Sequence, residues 1–167
     1  MKITHILLLT VLLLFAGSVQ SQTQKWSALE YSHWSGPVSP QYQYRYSIII
    51  SNDGSANVTY KDSNGEIFRE FKIPSNKKGM KKLKKALKNS KVFDVPAETM
   101  KSDRTLIGGS ESSLVITLWQ DPMLDQPPGR IEVPTQVKEE YKDGIEKLYS
   151  TIKGLVPEEI RSETKIN

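Results

Sequence analysis

Apolar and polar residues alternate most strictly between Gln41 and Ser51. Every second position from Tyr42 to Ile50 is aromatic or aliphatic, and the intervening positions are polar as far as Ser47. Alternation with a period of two is typical of a strand that buries one face. We therefore predict that residues 41–51 form the central strand of a sheet.

Turn signals separate this strand from further alternating segments. Residues 52–54 (Asn-Asp-Gly) and 64–65 (Asn-Gly) tolerate positive φ and favour tight hairpins. Such short turns join antiparallel neighbours, so a meander is expected at the start of the sheet. Residues 114–119 are apolar at both sets of alternate positions and should lie inside the sheet. The predicted strands are 29–34, 41–51, 56–60, 66–73, 114–119 and 130–133.

Two segments have helical spacing instead. In 76–89 the apolar residues are Met80, Leu83, Ala86 and Leu87, and in 136–154 an apolar residue recurs every three or four positions. Gly154 and Pro157 should end the second helix. The order of elements predicts an α+β fold, in which an antiparallel sheet of about five to seven strands is covered on one face by two helices.

The ends of the chain differ from its middle. Lys2, an apolar run over 6–16 and small residues near Ser21 are typical of a secretory signal peptide over 1–21. The run has about eleven residues, whereas a membrane-spanning helix needs roughly 20. We therefore expect no transmembrane segment after cleavage. The rest is predicted to be one domain over 22–157, followed by a flexible tail over 158–167.

Cysteine is absent from the chain, which excludes disulfides, thiolate metal sites and a cysteine nucleophile. Small extracellular domains of animals commonly depend on disulfides. An exported chain without them suggests a secreted or periplasmic protein of bacterial origin. The sequon 57–59 lies in a predicted strand, and we interpret it as incidental.

Positive charge is concentrated in the first predicted helix. The formal net charge is only +4, yet eight lysines occur between 77 and 91. Such a density should attract an anionic surface, although lysine is also common on solvated helix faces. The run contains no aromatic residue or arginine, so nucleic acid is not an expected partner. The candidate binding lysines are Lys78, Lys81, Lys82 and Lys85.

Aromatic residues supply the other candidates for binding. The tyrosines of 41–51 are expected to pack between sheet and helices, although an exposed cluster could stack on sugars. Trp34 precedes Gly36 and Pro37, and Trp119 leads into the proline-rich loop 120–129. Tryptophan at the edge of a cleft is a common recognition device. We predict binding roles for Trp34 and Trp119.

The sequence offers little for catalysis. His33 is the one histidine outside the predicted signal peptide, and without partner ligands nearby it is expected to be structural. Residues 108–112 (Gly-Gly-Ser-Glu-Ser) precede a strand rather than a helix, unlike a hydrolase nucleophile turn. Residues 62–66 are better explained by a hairpin turn than by a calcium loop. We predict no catalytic residue, no metal and no cofactor.

These observations favour a non-enzymatic exported binding or interaction protein. Its partner would be a protein, a glycan or an anionic envelope surface, contacted through the sheet, the loop 120–129 with Asp121 and Asp125, and the lysine-rich helix. Two alternatives remain open. One is a small hydrolase that uses carboxylates at Asp121, Asp125 and Glu111, and the other is a structural accessory of an envelope assembly.

Overall fold

A single antiparallel sheet organises the protein. The computed structural model describes residues 25–74, 78–104 and 108–166. Within these residues six strands pair in the order β4-β3-β2-β1-β5-β6, and all neighbours are antiparallel. The α+β prediction is therefore confirmed. The strands are β1 (Trp26–Trp34), β2 (Tyr44–Ser51), β3 (Ser55–Asp62), β4 (Gly65–Lys72), β5 (Glu111–Leu118) and β6 (Arg130–Val133).

The helices of the described residues lie on one face of this sheet. The longest are α1 (Lys78–Asn89) and α3 (Glu139–Lys153), close to the two predicted segments, and both contribute to the core against the sheet. The shorter ones are α2 (Ala97–Met100), α4 (Glu158–Thr164) and a 3-10 turn at Pro40–Tyr42. Gly79 near the start of α1 lies beside Leu155, whereas Gly144 in α3 lies beside Asn89 at the end of α1, so α1 and α3 run antiparallel.

Alternate residues of the central strands fill the core. In β2 the side chains of Tyr46, Ile48 and Ile50 are buried, as the alternation predicts. Leu114 and Ile116 of β5 are completely buried on the same face, and β5 lies between β1 and β6. Burial of side chains of this size stabilises the fold by roughly 1.5–3 kcal/mol each.

The predicted central strand is too long at its N-terminal end. Tyr42 lies in the 3-10 turn rather than in β2, and 68% of its surface is exposed. Pro40 occupies the first position of that turn, where its fixed φ suits helical backbone and its missing N–H leaves no donor unpaired. Pairing of β2 with β3 therefore begins at Tyr44.

The structure places a helix in the segment after Pro157, where the sequence suggested a flexible tail. Helix α4 follows Pro157 directly, and Ile160, Thr164 and Ile166 are buried. Arg69 of β4 also forms an ion pair with Glu163, with 2.8 Å between nitrogen and oxygen. Contacts with the sheet therefore hold a segment whose composition is mostly polar.

The predicted signal peptide, 1–21, lies outside the described residues. Among the helices that the structure describes, none has the length and apolar character needed to cross a membrane.

Candidate functional site

The face of the sheet opposite the helices carries a row of hydroxyl groups. Strand register places Ser113 of β5 opposite Ser32 of β1, Ser32 opposite Ser47 of β2, and Ser47 opposite Thr59 of β3. Directly opposite residues on one face have Cβ atoms roughly 4.5–5.5 Å apart. Four neighbouring strands therefore present a continuous floor of hydrogen-bond donors and acceptors. Phe68 of β4, 51% exposed, lies opposite Thr59 at the end of the row.

The adjacent row on the same face centres on Trp34. Arg45 of β2 and Glu111 of β5 lie opposite Trp34 on its two sides. Within the described part of the chain, Arg45 and Glu111 form no ion pair with any residue. An indole that is 39% exposed thus has a free guanidinium on one side and a free carboxylate on the other.

These two rows line a shallow groove of about 300 Å³. Its charged lining residues balance, since Arg45 and Lys61 are offset by Glu66 and Glu111. Lys61 and Glu66 lie opposite each other on β3 and β4, with 3.9 Å between nitrogen and oxygen. A groove with hydroxyls, both kinds of charge and one flat apolar wall suits a polar ligand without a large net charge. We call it the sheet groove.

On the helix side of the same sheet end, His33 lies among hydroxyl groups and rings. Its Nδ1 is 3.0 Å from the Ser112 hydroxyl, and its ring stacks on Tyr46 at 5.0 Å between centroids. Burial lowers the pKa of His33, and the positive charge of Lys153 lowers that pKa further. The imidazole is therefore neutral near pH 7. A Ser–His pair is present, but no carboxylate is recorded as a partner of this imidazole in the described structure.

Tyr31 and Tyr149 pack against each other beside His33, with ring centroids 5.0 Å apart. The Tyr31 hydroxyl is 3.0 Å from the Ser112 hydroxyl, whereas the Tyr149 hydroxyl is buried without a hydrogen-bond partner among the described residues. Burial raises the pKa of Tyr149. One phenol of this pair is hydrogen-bonded and its neighbour is not.

We expect Tyr149→Phe to leave the stability unchanged or to raise it by up to about 1 kcal/mol, because an unsatisfied buried hydroxyl is removed. Tyr31→Phe is the matched variant and should cost about 1 kcal/mol, because the contact with Ser112 is lost. Urea unfolding of both variants measures the difference. A larger loss for Tyr149→Phe than for Tyr31→Phe would contradict this assignment.

The structure does not bring the predicted binding residues together. Trp34 is the last residue of β1, whereas the Trp119 amide donates to the Lys25 carbonyl just before β1 begins. Lys25 and Trp34 lie at opposite ends of the nine-residue strand β1, which is roughly 30 Å long at the usual rise per residue. Trp119 is 51% exposed and lies beside the Lys25 ammonium, 5.6 Å from its ring centroid.

The predicted lysines lie on the other side of the molecule from the sheet groove. Lys78, Lys81, Lys82 and Lys85 are all exposed on α1, whose apolar residues face the core. The lysine face and the sheet groove are therefore separate surfaces.

The carboxylates of the hydrolase hypothesis are also spread out. Glu111 begins β5, whereas Asp121 and Asp125 follow its other end, roughly 25 Å away at the usual rise of a strand. Paired carboxylates of glycosidases are about 5–9.5 Å apart. The Asp121 carboxylate accepts a hydrogen bond from the Met123 amide at 3.0 Å, which is an ordinary turn contact. No cluster of three or more metal-binding side chains of the His, Asp and Glu type occurs among the described residues.

Sequence reasoning singled out Trp34, and Glu111 for the hydrolase alternative, but none of the other residues of the sheet groove. Ser32, Ser47, Thr59 and Ser113 are common strand residues, and only their alignment across four strands distinguishes them. Arg45 could have indicated a site on this face of the sheet, because it is the only charged residue between 41 and 51.

The class that the fold defines is an α+β protein with a six-stranded antiparallel sheet whose helices lie on one face. Comparison with protein-family models and with curated proteins gives no match for this chain.

Proposed function

We propose that this chain is an exported, non-enzymatic binding protein, and that its sheet groove holds a glycan of low net charge. The observation that carries the proposal is Trp34, an exposed indole between Arg45 and Glu111, which form no ion pair with any described residue. Sugar rings have apolar C–H faces that pack on a flat aromatic ring, and their hydroxyls both donate and accept hydrogen bonds. The indole and its two charged neighbours match both properties.

The row of hydroxyls extends this recognition surface along the sheet. From Ser113 to Thr59 it crosses four strands, or roughly 14 Å at about 4.8 Å between neighbours. Phe68 lies beyond Thr59 and adds a second exposed ring. A floor of this length supports binding of a short chain of sugars rather than of one monosaccharide.

The balanced charge of the groove favours a neutral glycan over a polyanion. Two cations and two carboxylates line it, so the attraction for a highly charged ligand is small. Export, and with it an extracellular or envelope setting, is proposed from residues 1–21 and from the absence of cysteine.

Replacing Trp34 by Ala should weaken glycan binding by about 30-fold, since a tryptophan anchor contributes about 2 kcal/mol. Retention tests on insoluble starch, cellulose and chitin first identify the type of glycan that is bound. Calorimetric titration with soluble oligomers of glucose and of N-acetylglucosamine then measures the loss of affinity. Trp119→Ala is the matched control, because it removes the same side chain from the opposite end of β1 and β5. We expect that control to bind like the unmodified protein.

Two outcomes would reject the glycan proposal. The first is that none of these polysaccharides retains the unmodified chain. The second is that Trp119→Ala weakens binding while Trp34→Ala does not, which would move the site to the loop 120–129.

A second candidate function is contact with an anionic envelope surface through α1. It is favoured by the exposure of every lysine of this helix, which contains no acidic residue. Binding to vesicles that contain anionic lipid would then fall steeply between low and physiological salt. Conversion of Lys78, Lys81, Lys82 and Lys85 to Gln would abolish it and would leave glycan binding unchanged.

A further inference from the structure

A second cavity, of about 400 Å³, lies on the helix side of the sheet, near the C-terminal end of β1. Its lining side chains belong to the opposite face of the sheet from those of the sheet groove, although His33 and Tyr46 line both cavities. The residues that define its chemistry are His33, Tyr42, Tyr44, Tyr46, Lys153 and Lys165.

One wall of this cavity is built from stacked rings. His33 stacks on Tyr46, and Tyr44 is nearly parallel to Tyr46, with an interplanar angle of 6°. Tyr46 is almost fully buried, so the base of the wall is fixed by the core. Tyr42 lies outside the sheet in the 3-10 turn and is mostly exposed, which places a fourth ring at the opening. These rings give the cavity an aromatic wall.

Positive charge faces this wall without a compensating acid in the lining. No carboxylate lines the cavity among the described residues. Lys153 is half-buried at the C-terminal end of α3 and forms no ion pair within the described structure. The positive charge of Lys153 contributes to the lowered pKa of His33. Inside a partly buried site such an ammonium attracts an anion more strongly than it would in open solvent.

Lys165 supplies a second ammonium, on a side chain that is 64% exposed. Its backbone is left-handed, with φ of 50°, and its Nζ is 3.6 Å from the Asp62 carboxylate. A hydrogen bond with Tyr60 raises the pKa of Lys165, so the side chain stays charged. Because Asp62 already offsets part of this charge, Lys153 is the stronger anchor of the two.

We propose that this cavity is a second binding site, which takes a small molecule with a planar apolar body and a single carboxylate or phosphate group. The planar body packs on the wall formed by His33, Tyr44 and Tyr46. The anionic group lies between Lys153 and Lys165. The volume is within the usual range for small-ligand sites.

Benzoate is the probe for this site, benzamide is its neutral counterpart, and acetate has the charge without the ring. In calorimetric titrations of the full chain, benzoate should bind at least ten-fold more tightly than either of the others, since it alone uses both the wall and the ammonium groups. Phenyl phosphate in place of benzoate distinguishes phosphate from carboxylate as the preferred head group.

The decisive variant is Lys153→Gln, which should weaken benzoate binding at least ten-fold and remove the preference over benzamide. Lys147→Gln is the matched control on the exposed side of the same helix and should bind benzoate unchanged. Lys165→Gln should have a smaller effect than Lys153→Gln. Thermal melts of each variant establish that it is folded.

Several results would overturn the second site. They are the absence of saturable benzoate binding to the unmodified chain, equal affinities for benzoate and benzamide, or equal losses in Lys153→Gln and Lys147→Gln. Trp34→Ala should leave benzoate binding unchanged, so failure of the glycan proposal and failure of this one are distinguishable.

Discussion

Replacing Gly54 by Ala is expected to destabilise the protein by roughly 2–5 kcal/mol, from a left-handed backbone and a steric clash together. Gly54 has φ of +89°, and an added Cβ would lie 2.1 Å from the carbonyl oxygen of Ile73. That oxygen belongs to the backbone, and Ile73 also donates its amide to the Gly54 carbonyl at 2.7 Å. The contact cannot be relieved without breaking the link between the β2–β3 turn and the segment after β4.

Gly108→Ala is the matched control for Gly54→Ala. Its φ of +83° is similar, but an added Cβ would meet no atom of the described residues within 4 Å. Gly108→Ala should therefore lower the free energy of unfolding only by the cost of the left-handed backbone, about 1–2 kcal/mol. Denaturant unfolding of both variants isolates the clash as the difference between them. Equal losses would show that the approach of Ile73 to Gly54 is unimportant for stability.

Replacing Leu148 by Ala is expected to cost about 2–5 kcal/mol, because it leaves a cavity between α3 and the sheet. Leu148 is completely buried in the core cluster that joins the helices to the strands. Leu124→Ala is the control, since Leu124 is 59% exposed in the loop 120–129 and should change stability by less than about 0.5 kcal/mol. Urea unfolding followed by tryptophan fluorescence measures both.

A loss in Leu148→Ala no larger than that in Leu124→Ala would contradict the packing of α3 on the sheet. If a folded Leu148→Ala variant still binds benzoate, the second cavity does not depend on the packing of Leu148 in the core.

The class of the fold follows from local pattern. Alternation in β2 and β5 and the three- and four-residue spacing in α3 each arise within one element, so they can be recognised without knowing its neighbours. The turns at 52–54 and 64–65 are equally local, and they produced the expected antiparallel meander of β2, β3 and β4.

The two departures from the predicted elements have different origins, one local and one in contacts between distant segments. Tyr42 continues the alternation of β2, yet Pro40 starts a 3-10 turn and pairing begins two residues later. Residues 158–166 contain only two isoleucines, too few to indicate a buried helix. Burial of Ile160 and Ile166, together with the ion pair from Glu163 to Arg69, becomes visible only in the tertiary structure.

The candidate sites were predicted less well than the fold. A period of two identifies which face of a strand a residue occupies, but not which residue of another strand lies opposite it. Trp34 could be suspected from the sequence, whereas its position between Arg45 and Glu111 depends on the pairing of β1 with β2 and with β5. Trp34 and Glu111 are 77 residues apart in the chain. The irregularity between Trp26 and Ala28 changes the register only at the start of β1.

By itself, the sequence determined the kind of elements, the buried face of the central strands, the absence of thiol chemistry and the lysine-rich character of α1. The tertiary structure alone decided that four hydroxyls align beside Trp34, that His33 contacts Ser112, and that Lys153 and Lys165 face one ring-lined cavity. The physical reason is range. Side-chain alternation and turn conformation are set by neighbours along the chain, whereas strand register and the meeting of helix and sheet depend on packing between segments that are far apart in sequence.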